Sequence, residues 1–246
     1  MAARQLALTP SLVAQVHRVL EDAGPDPNVV YHTEEDYDAV VHHLLSAHAL
    51  GQDLWLFAYG SLLWKPEVDH VEERMGMAHG WHRAFRLRIT RWRATEDQPG
   101  LMMALDRDGQ CRGVLYRIPA ATGEQNLGKL VRREMSAKPP TNVPRWIRVE
   151  TDAGSVQAIA FVINRRGRVY AGKVSLEDTA RLLAKACGHW GSCAEYLHKT
   201  VVHLEERGIH DRNLWRLQSL VAEQIKAATS SPGSGTTSRV PCTRLV

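Results

Sequence analysis

Glu134 is a carboxylate in a place where an apolar side chain would be expected. Leu127, Leu130, Val131 and Glu134 recur at i, i+3, i+4 and i+7, which is one face of a helix, while Arg132 and Arg133 fall on other faces. An inward carboxylate costs on the order of a few kcal/mol unless it is paired or protonated. Burial also raises its pKa toward neutrality, where one carboxyl group can both take and return a proton. A structural ion pair with an arginine is the other reading of the same residue, because ion-pair networks also bury carboxylates.

The second candidate is a turn. Leu54-Trp55-Leu56-Phe57-Ala58-Tyr59 runs directly into Gly60-Ser61-Leu62. An apolar, aromatic-rich run bounded by a turn signal reads as a fully buried strand. Gly60 has no Cβ, so a ligand can approach the main chain closely there. The N–H groups of Gly60, Ser61 and Leu62 can point at a carboxylate or carbonyl oxygen, and the Ser61 hydroxyl adds a donor. Local sequence alone favours a plain Gly-Ser turn, since strands often end in one.

The elements that must position these residues follow from capping signals and periodicity. Thr9-Pro10 starts a helix with proline at its first position. Thr33 caps a second helix with Tyr37, Val40, Val41, Leu44 and Leu45 on one stripe. Strands are expected near Leu54 to Tyr59, Phe85 to Ile89, Leu101 to Leu105 and Val114 to Ile118. Thr122-Gly123-Glu124-Gln125 has capping-box spacing and is expected to start the Glu134 helix. Strands near Trp146 to Val149 and Val156 to Ile163 come next. Three helices close the chain, two marked by Ser175 with Asp178 and Ser192 with Glu195, the third capped by Asp211. This order is α+β, without the strict βαβ alternation of a doubly wound sheet.

Composition narrows the class. The chain has 246 residues, 44% hydrophobic and 24% charged, which suits one sizeable soluble core. No apolar run approaches the ~20 residues of a membrane span. Met1 to Gln5 lacks the apolar core of a signal peptide. Four cysteines without a Cys-x-x-Cys pair form no disulfide framework, so reduced thiols and a cytoplasmic location are expected. The net charge is +4. Arg83, Arg86, Arg88, Arg91 and Arg93 interleave with Phe85, Leu87 and Ile89, which predicts a half-buried strand with a solvated basic face and no nucleic-acid surface.

Other candidates carry less. Cys187-Gly188-His189-Trp190-Gly191-Ser192-Cys193 has no usual zinc spacing and reads as a helix connection with Gly188 as a C-cap. Ser61 lacks the Gly-x-Ser-x-Gly of a nucleophile elbow. No dinucleotide or phosphate-loop glycine pattern occurs. Tyr196 lies with Leu197, Thr200, Val201 and Leu204 on one helix face and reads as core, with a hydroxyl that could reach a pocket.

Taken together, Tyr59-Gly60-Ser61-Leu62, Leu63-Trp64-Lys65-Pro66 and Arg132-Arg133-Glu134-Met135 resemble the ChaC family of glutathione-specific γ-glutamylcyclotransferases. So do Gly80-Trp81-His82-Arg83-Ala84-Phe85, Cys111 to Arg117, Cys193 to Leu197, and Gly208-Ile209-His210-Asp211 through Leu214-Trp215. The likeness runs from about Leu6 to Ala227. It departs at Arg91 to Asp97, where the family more often has a small, glycine-containing segment before Pro99-Gly100. The resemblance implies a small mixed β-barrel with flanking helices. With the Ser-, Gly-, Pro- and Thr-rich composition from Thr229 onward, it divides the chain into an N-terminal helical extension packed on the core (1–50), a γ-glutamylcyclotransferase-like domain (51–228) and a flexible tail (229–246). It also implies glutathione as substrate, no cofactor and no metal. Glu134 would be the catalytic base, and Tyr59, Gly60, Ser61 and Leu62 would bind substrate. The same chemistry on other γ-glutamyl peptides or amines, and a non-catalytic binding module, are the alternatives. A basic residue between Arg83 and Arg93 is expected to read the glycine carboxylate.

Overall fold

Strand β2 (Leu54–Ala58) is bonded on both edges, and the barrel closes through it. The computed structural model describes residues 5–230. Before β2 come α1 (Pro10–Val16), β1 (Val30–Tyr31) and α2 (Glu34–Ser46). After it come a 3₁₀ turn (Ser61–Leu63), β3 (Glu72–Ile89), β4 (Gly100–Ile118), α3 (Ala120–Glu134), β5 (Ala137–Lys138), β6 (Asn142–Thr151) and β7 (Gly154–Ile163). The remainder is α4 (Leu176–Leu183), β8 (Cys187–Gly188), β9 (Gly191–Ser192), α5 (Cys193–Glu206) and α6 (Arg212–Ser230).

The barrel order is β2-β4-β3-β6-β7. β2 pairs antiparallel with β4, from Leu54 opposite Ile118 to Ala58 opposite Val114, and parallel with β7 at Leu56 and Ile159. Pairing on both edges with cover on both faces explains why β2 is a continuous apolar run and not an alternating one. Its Leu54, Leu56, Phe57 and Ala58 are all buried. The mixed α+β barrel agrees with the expected class.

The expected short strands near Phe85, Leu101 and Val114 are parts of two long strands, β3 and β4, paired from Glu72–Arg117 to Ile89–Gly100. Arg107 to Gln110 are exposed in the middle of that ladder, and the register shifts beside Gly80. Such a stretch has no apolar periodicity, so it looks like a turn while still carrying ladder hydrogen bonds.

Local caps behave as expected at Thr9, Thr33, Ser175, Ser192 and Asp211. Each side-chain oxygen accepts from a backbone N–H of the helix it starts. Two expectations are corrected. α3 does not start at a Thr122–Gln125 box. It starts at Ala120, after Pro119, and the Ala120 N–H donates to Asp53 Oδ1 at 2.9 Å. A carboxylate just ahead of β2 thus caps a helix far along the chain. That N–H first, and Arg117 second, lower the Asp53 pKa. Gly188 is not a helix C-cap either. α4 ends at Leu183 with Ala184 as its cap, and Gly188 lies in β8 against the Trp92 main chain.

The basic segment is corrected in part. Arg88 is exposed as expected, but its neighbours are paired. Arg83 is 7% exposed and bonds Asp211, with Nε–Oδ2 at 3.3 Å. Arg86 meets Asp106 at 3.0 Å, Arg91 meets Asp22 at 2.8 Å, and Arg93 meets Glu195 at 2.7 Å. Among the N-terminal elements, α1 packs on α5 and α6, and α2 packs on α3. α6 runs to Ser230, so Thr229 and Ser230, placed in the tail by composition, are helical. The rest of that tail, and Met1 to Arg4, lie outside the described residues. No helix among the described residues is long and apolar enough to cross a membrane.

Gly113 lies on β4 where it crosses β2, and a Cβ there would stand 2.5 Å from the Ala58 carbonyl oxygen. Main chain cannot yield as a side-chain tip can. Gly113→Ala is expected to cost about 1–3 kcal/mol of stability, the scale of overpacking a filled core. Equilibrium urea unfolding checks it.

Candidate active site

Three segments converge at one end of β2. The first is the turn itself. Tyr59 is buried, and its hydroxyl donates to the Phe161 carbonyl on β7 at 2.7 Å. A Cβ on Gly60 would stand 3.0 Å from the Tyr196 hydroxyl and 3.5 Å from Met103 Sδ, so glycine is what the space admits. The 3₁₀ turn then begins, with Leu63 N–H bonded to Gly60 O and Lys65 N–H to Ser61 O, both at 2.9 Å. The N–H groups of Ser61 and Leu62 start that turn and have no intrahelical acceptor. The Leu62 side chain is buried, so only its main chain can meet a ligand.

The second is the end of α3. Leu127, Leu130 and Val131 are buried, and Glu134, the last residue of the helix, continues their face with its side chain 16% exposed. Glu134 has a charged neighbour. Arg133 Nε stands 3.3 Å from Glu134 Oε1. The same guanidinium donates to Ser61 Oγ at 3.1 Å, Glu67 Oε2 at 2.8 Å and the Lys65 carbonyl at 2.5 Å. Both sequence readings are therefore present in part, an ion pair and a buried acid. The surroundings of the carboxyl act on it in opposite directions. Burial raises the Glu134 pKa, Arg133 opposes, and Glu67 adds to the rise, with a net result above the ordinary value. A purely structural pair would hold the carboxyl low. Here Arg133 is shared among several acceptors and does not overcome desolvation.

The third is α5, which brings Tyr196. Its ring packs edge-on to Phe85 and Trp64, with centroids 6.1 and 5.9 Å away. Burial, then Glu134, push the Tyr196 hydroxyl up to about 12, against hydrogen bonding from Ser61. Burial, then Glu134, raise Tyr59 as well. The carboxyl group therefore faces two neutral phenols. Tyr196 read as core from sequence because its helix neighbours are apolar. Arg133 was placed on another face because helical spacing ignores how far a guanidinium reaches back.

The arrangement can accept a proton at Glu134 and hold an anionic oxygen at the Ser61–Leu62 main chain. Two concavities lie elsewhere. One of about 570 Å³ sits between α1 and α5, lined by Val13, His17 and His198. Another of about 420 Å³ is lined by Trp81, Arg107, Arg145 and Arg165. Neither is lined by Glu134, and the convergence of titratable groups is what makes the end of β2 the candidate site. The sulfurs are used structurally. Cys187 Sγ accepts from the Arg18 N–H at 3.4 Å, and the Cys193 thiol, pushed by burial up to about 12, donates to the Arg93 carbonyl at 3.3 Å.

A model of ChaC-like proteins matches residues 54–224. The chain belongs to the ChaC-like family. The ChaC-like match begins at the first residue of β2 and contains Tyr59 to Leu62, Arg133, Glu134 and Tyr196, while α1, β1 and α2 precede it. A glutathione-specific gamma-glutamylcyclotransferase of Escherichia coli (strain K12) is 38% identical over 185 residues, 73% of this chain and 79% of that protein. Glutathione-specific gamma-glutamylcyclotransferase 1 of Mus musculus is 30% identical over 149 residues, 59% of this chain and 67% of that protein. In fold, the ChaC-like barrel resembles the crystal structure of a yeast gamma-glutamylcyclotransferase specific to glutathione. The TM-score is 0.64 at 20% identity, over 70% of this chain and 97% of that one.

The raised Glu134 pKa has a consequence for stability. A carboxyl whose folded pKa lies above its unfolded value binds its proton more tightly when folded. Its contribution is complete below the unfolded pKa and is lost as pH rises through the folded one. Glu134→Gln, which mimics the protonated form, is expected to be more stable than wild type at pH 7. The gap should close below about pH 4, the unfolded value. Urea unfolding of both proteins at the two pH values measures it.

Proposed function

We propose that this chain cleaves glutathione by cyclising its γ-glutamyl group, releasing 5-oxoproline and cysteinylglycine. The observation that carries the reading is Glu134, a carboxyl group with a raised pKa beside the Gly60–Ser61 turn, in a ChaC-like chain. The names of the Escherichia coli and mouse relatives support the substrate.

The substrate holds its own nucleophile. Its α-amine attacks the γ-carbonyl carbon, a C–N bond forms within a five-membered ring, and the amide C–N bond to cysteine breaks. Folding the γ-glutamyl arm into that geometry supplies much of the acceleration. An α-ammonium is not nucleophilic, so Glu134 takes its proton and later delivers one to the departing cysteinyl nitrogen. The raised pKa suits both steps. The N–H groups of Ser61 and Leu62 hold the α-carboxylate or the developing oxyanion. Gly60 leaves the space for it, and Tyr59 and Tyr196 form neutral walls that keep the carboxyl desolvated. Arg133 fixes Ser61 and Glu134 relative to each other. Nucleophile, electrophile and leaving group all come from the substrate, so the reaction calls on no redox cofactor. We place it in the cytoplasm, in keeping with the free cysteines Cys111, Cys187 and Cys193.

Purified protein incubated with glutathione is expected to release 5-oxoproline. Glu134→Gln should keep the fold and lose at least ~100-fold in turnover, the scale of a general base. A near-normal rate in the variant would remove Glu134 from that role.

A broader γ-glutamyl cyclotransferase is the second reading, and one observation favours it. Four of the five arginines in the segment expected to read the glycine carboxylate, Arg83, Arg86, Arg91 and Arg93, are already paired with Asp211, Asp106, Asp22 and Glu195, which leaves the exposed Arg88. The comparison of kcat/KM for glutathione and γ-glutamylalanine separates the readings. The second substrate carries its terminal carboxylate one residue nearer the scissile bond. A preference of about tenfold or more for glutathione is expected if a protein cation pairs with the distal carboxylate. Equal values would make the substrate class γ-glutamyl peptides in general.

A further inference from the structure

Glu134 is the last residue of α3, and helix ends are where backbone hydrogen bonds run out and fraying begins. A reacting carboxylate at such a place needs an outside hold, because a displacement of about 1 Å can cost about a hundredfold in rate. That hold comes from the segment Val30 to Asp38, which precedes the ChaC-like match.

On the C-terminal side of Glu134, β1 pairs with β5 in antiparallel register, Val30 opposite Lys138 and Tyr31 opposite Ala137. The next residue, His32, donates its N–H to the Ser136 carbonyl at 3.1 Å. Lys138 then forms an ion pair with Asp36. Asp36 also accepts the Thr33 N–H at 2.7 Å, so the residue that completes the α2 capping box is the one that grips β5. Lys138 first, and the Thr33 N–H second, lower the Asp36 carboxyl to about 2, so the grip is charged across the physiological range. On the helix side, Arg132 donates from Nε to Glu34 Oε2 at 2.9 Å, lies 3.7 Å from Asp38, and stacks over the Tyr37 ring at 5.4 Å. The contacts thus fall two residues before Glu134 and from two residues after it onward, and bracket the acid without touching it.

We propose that Val30 to Asp38 is a positioning clamp for the catalytic carboxylate, with His32, Glu34 and Asp36 as positioning residues for Glu134. The proposal rests on the reading of Glu134 as the acid–base group. Each surface ion pair alone is weak. The strand pair, the His32 N–H and the two ion pairs act on one short stretch of main chain, and together they restrict where the end of α3 can go.

The test uses the full-length chain and three changes. His32→Pro removes the N–H that meets Ser136, and Tyr31 is extended, a conformation that a following proline accepts. Lys138→Met removes the grip on Asp36. Arg132→Glu reverses one ion pair, and adding Glu34→Arg restores it with the signs exchanged. Steady-state 5-oxoproline release is measured together with amide hydrogen exchange. The expected result is a fall in kcat of about ten- to a hundredfold with KM within about twofold, because geometry at the reacting group is lost and ground-state binding is kept. The Met135 amide, bonded to the Val131 carbonyl at 2.9 Å, should exchange faster while amides of β3 and β4 keep their protection. The Arg132→Glu/Glu34→Arg pair should recover most of the kcat lost by Arg132→Glu. Unchanged kcat in all three variants overturns the proposal. So does a loss of kcat that comes with lost protection throughout the barrel, since the segment would then hold the fold and not the acid. If wild type releases no 5-oxoproline, the functional reading fails. Exchange at Met135 then still decides whether Val30 to Asp38 restrains the end of α3.

Discussion

The guanidinium of Arg133 is the interaction on which the site depends. It reaches Ser61 Oγ, Glu67, the Lys65 carbonyl and Glu134, and so ties the turn after β2 to the end of α3. One cation spread over several acceptors orients each of them while leaving the Glu134 pKa raised. A tighter two-body pair would have locked the carboxylate in its charged form. Arg133 is the group that opposes desolvation, so without it the carboxyl pKa would rise further. The balance between desolvation and a shared cation leaves the carboxyl raised, the condition that the proposed acid–base role calls for.

That balance requires β2 and α3 to hold fixed positions, and the barrel provides them. β2 is locked between β4 and β7, and the Tyr59 hydroxyl continues the lock to the Phe161 carbonyl. α3 is anchored at its start by Asp53, which immediately precedes β2 and also accepts from Arg117 on β4. One carboxylate thus sets the helix start relative to the barrel. The start of α3 is thereby placed by a short chain of rigid parts, and its last residue, Glu134, meets Arg133.

What the sequence made legible was local. The caps at Thr9, Thr33, Ser175, Ser192 and Asp211 are short-range patterns, and each is present. The spacing of Leu127, Leu130, Val131 and Glu134 found the helix face because helical geometry alone determines it. The missed features have distant partners. Asp53 caps α3 across more than sixty positions, with a sequence separation of 67. The arginines of β3 and the loop after it find carboxylates on α5, on β4 and just before α6, and no periodicity reports that. Tyr196 was weighed as core because its packing is that of a core residue, and its second role shows only where Gly60 lets its hydroxyl approach.

The buried pair of Arg83 and Asp211 bears on how the protein is made. Arg83 also donates to the Tyr59 carbonyl at 3.0 Å, directly beneath the site turn. During synthesis from the N-terminus, Arg83 emerges long before its partner, which lies at the entrance to the last helix. Until then the barrel would enclose a cation without its counter-charge, a strongly destabilised state. The turn at the end of β2 is thus held from below by a cation whose counter-charge is synthesised well after Glu134. A nascent fragment that ends between the two lacks that charge balance.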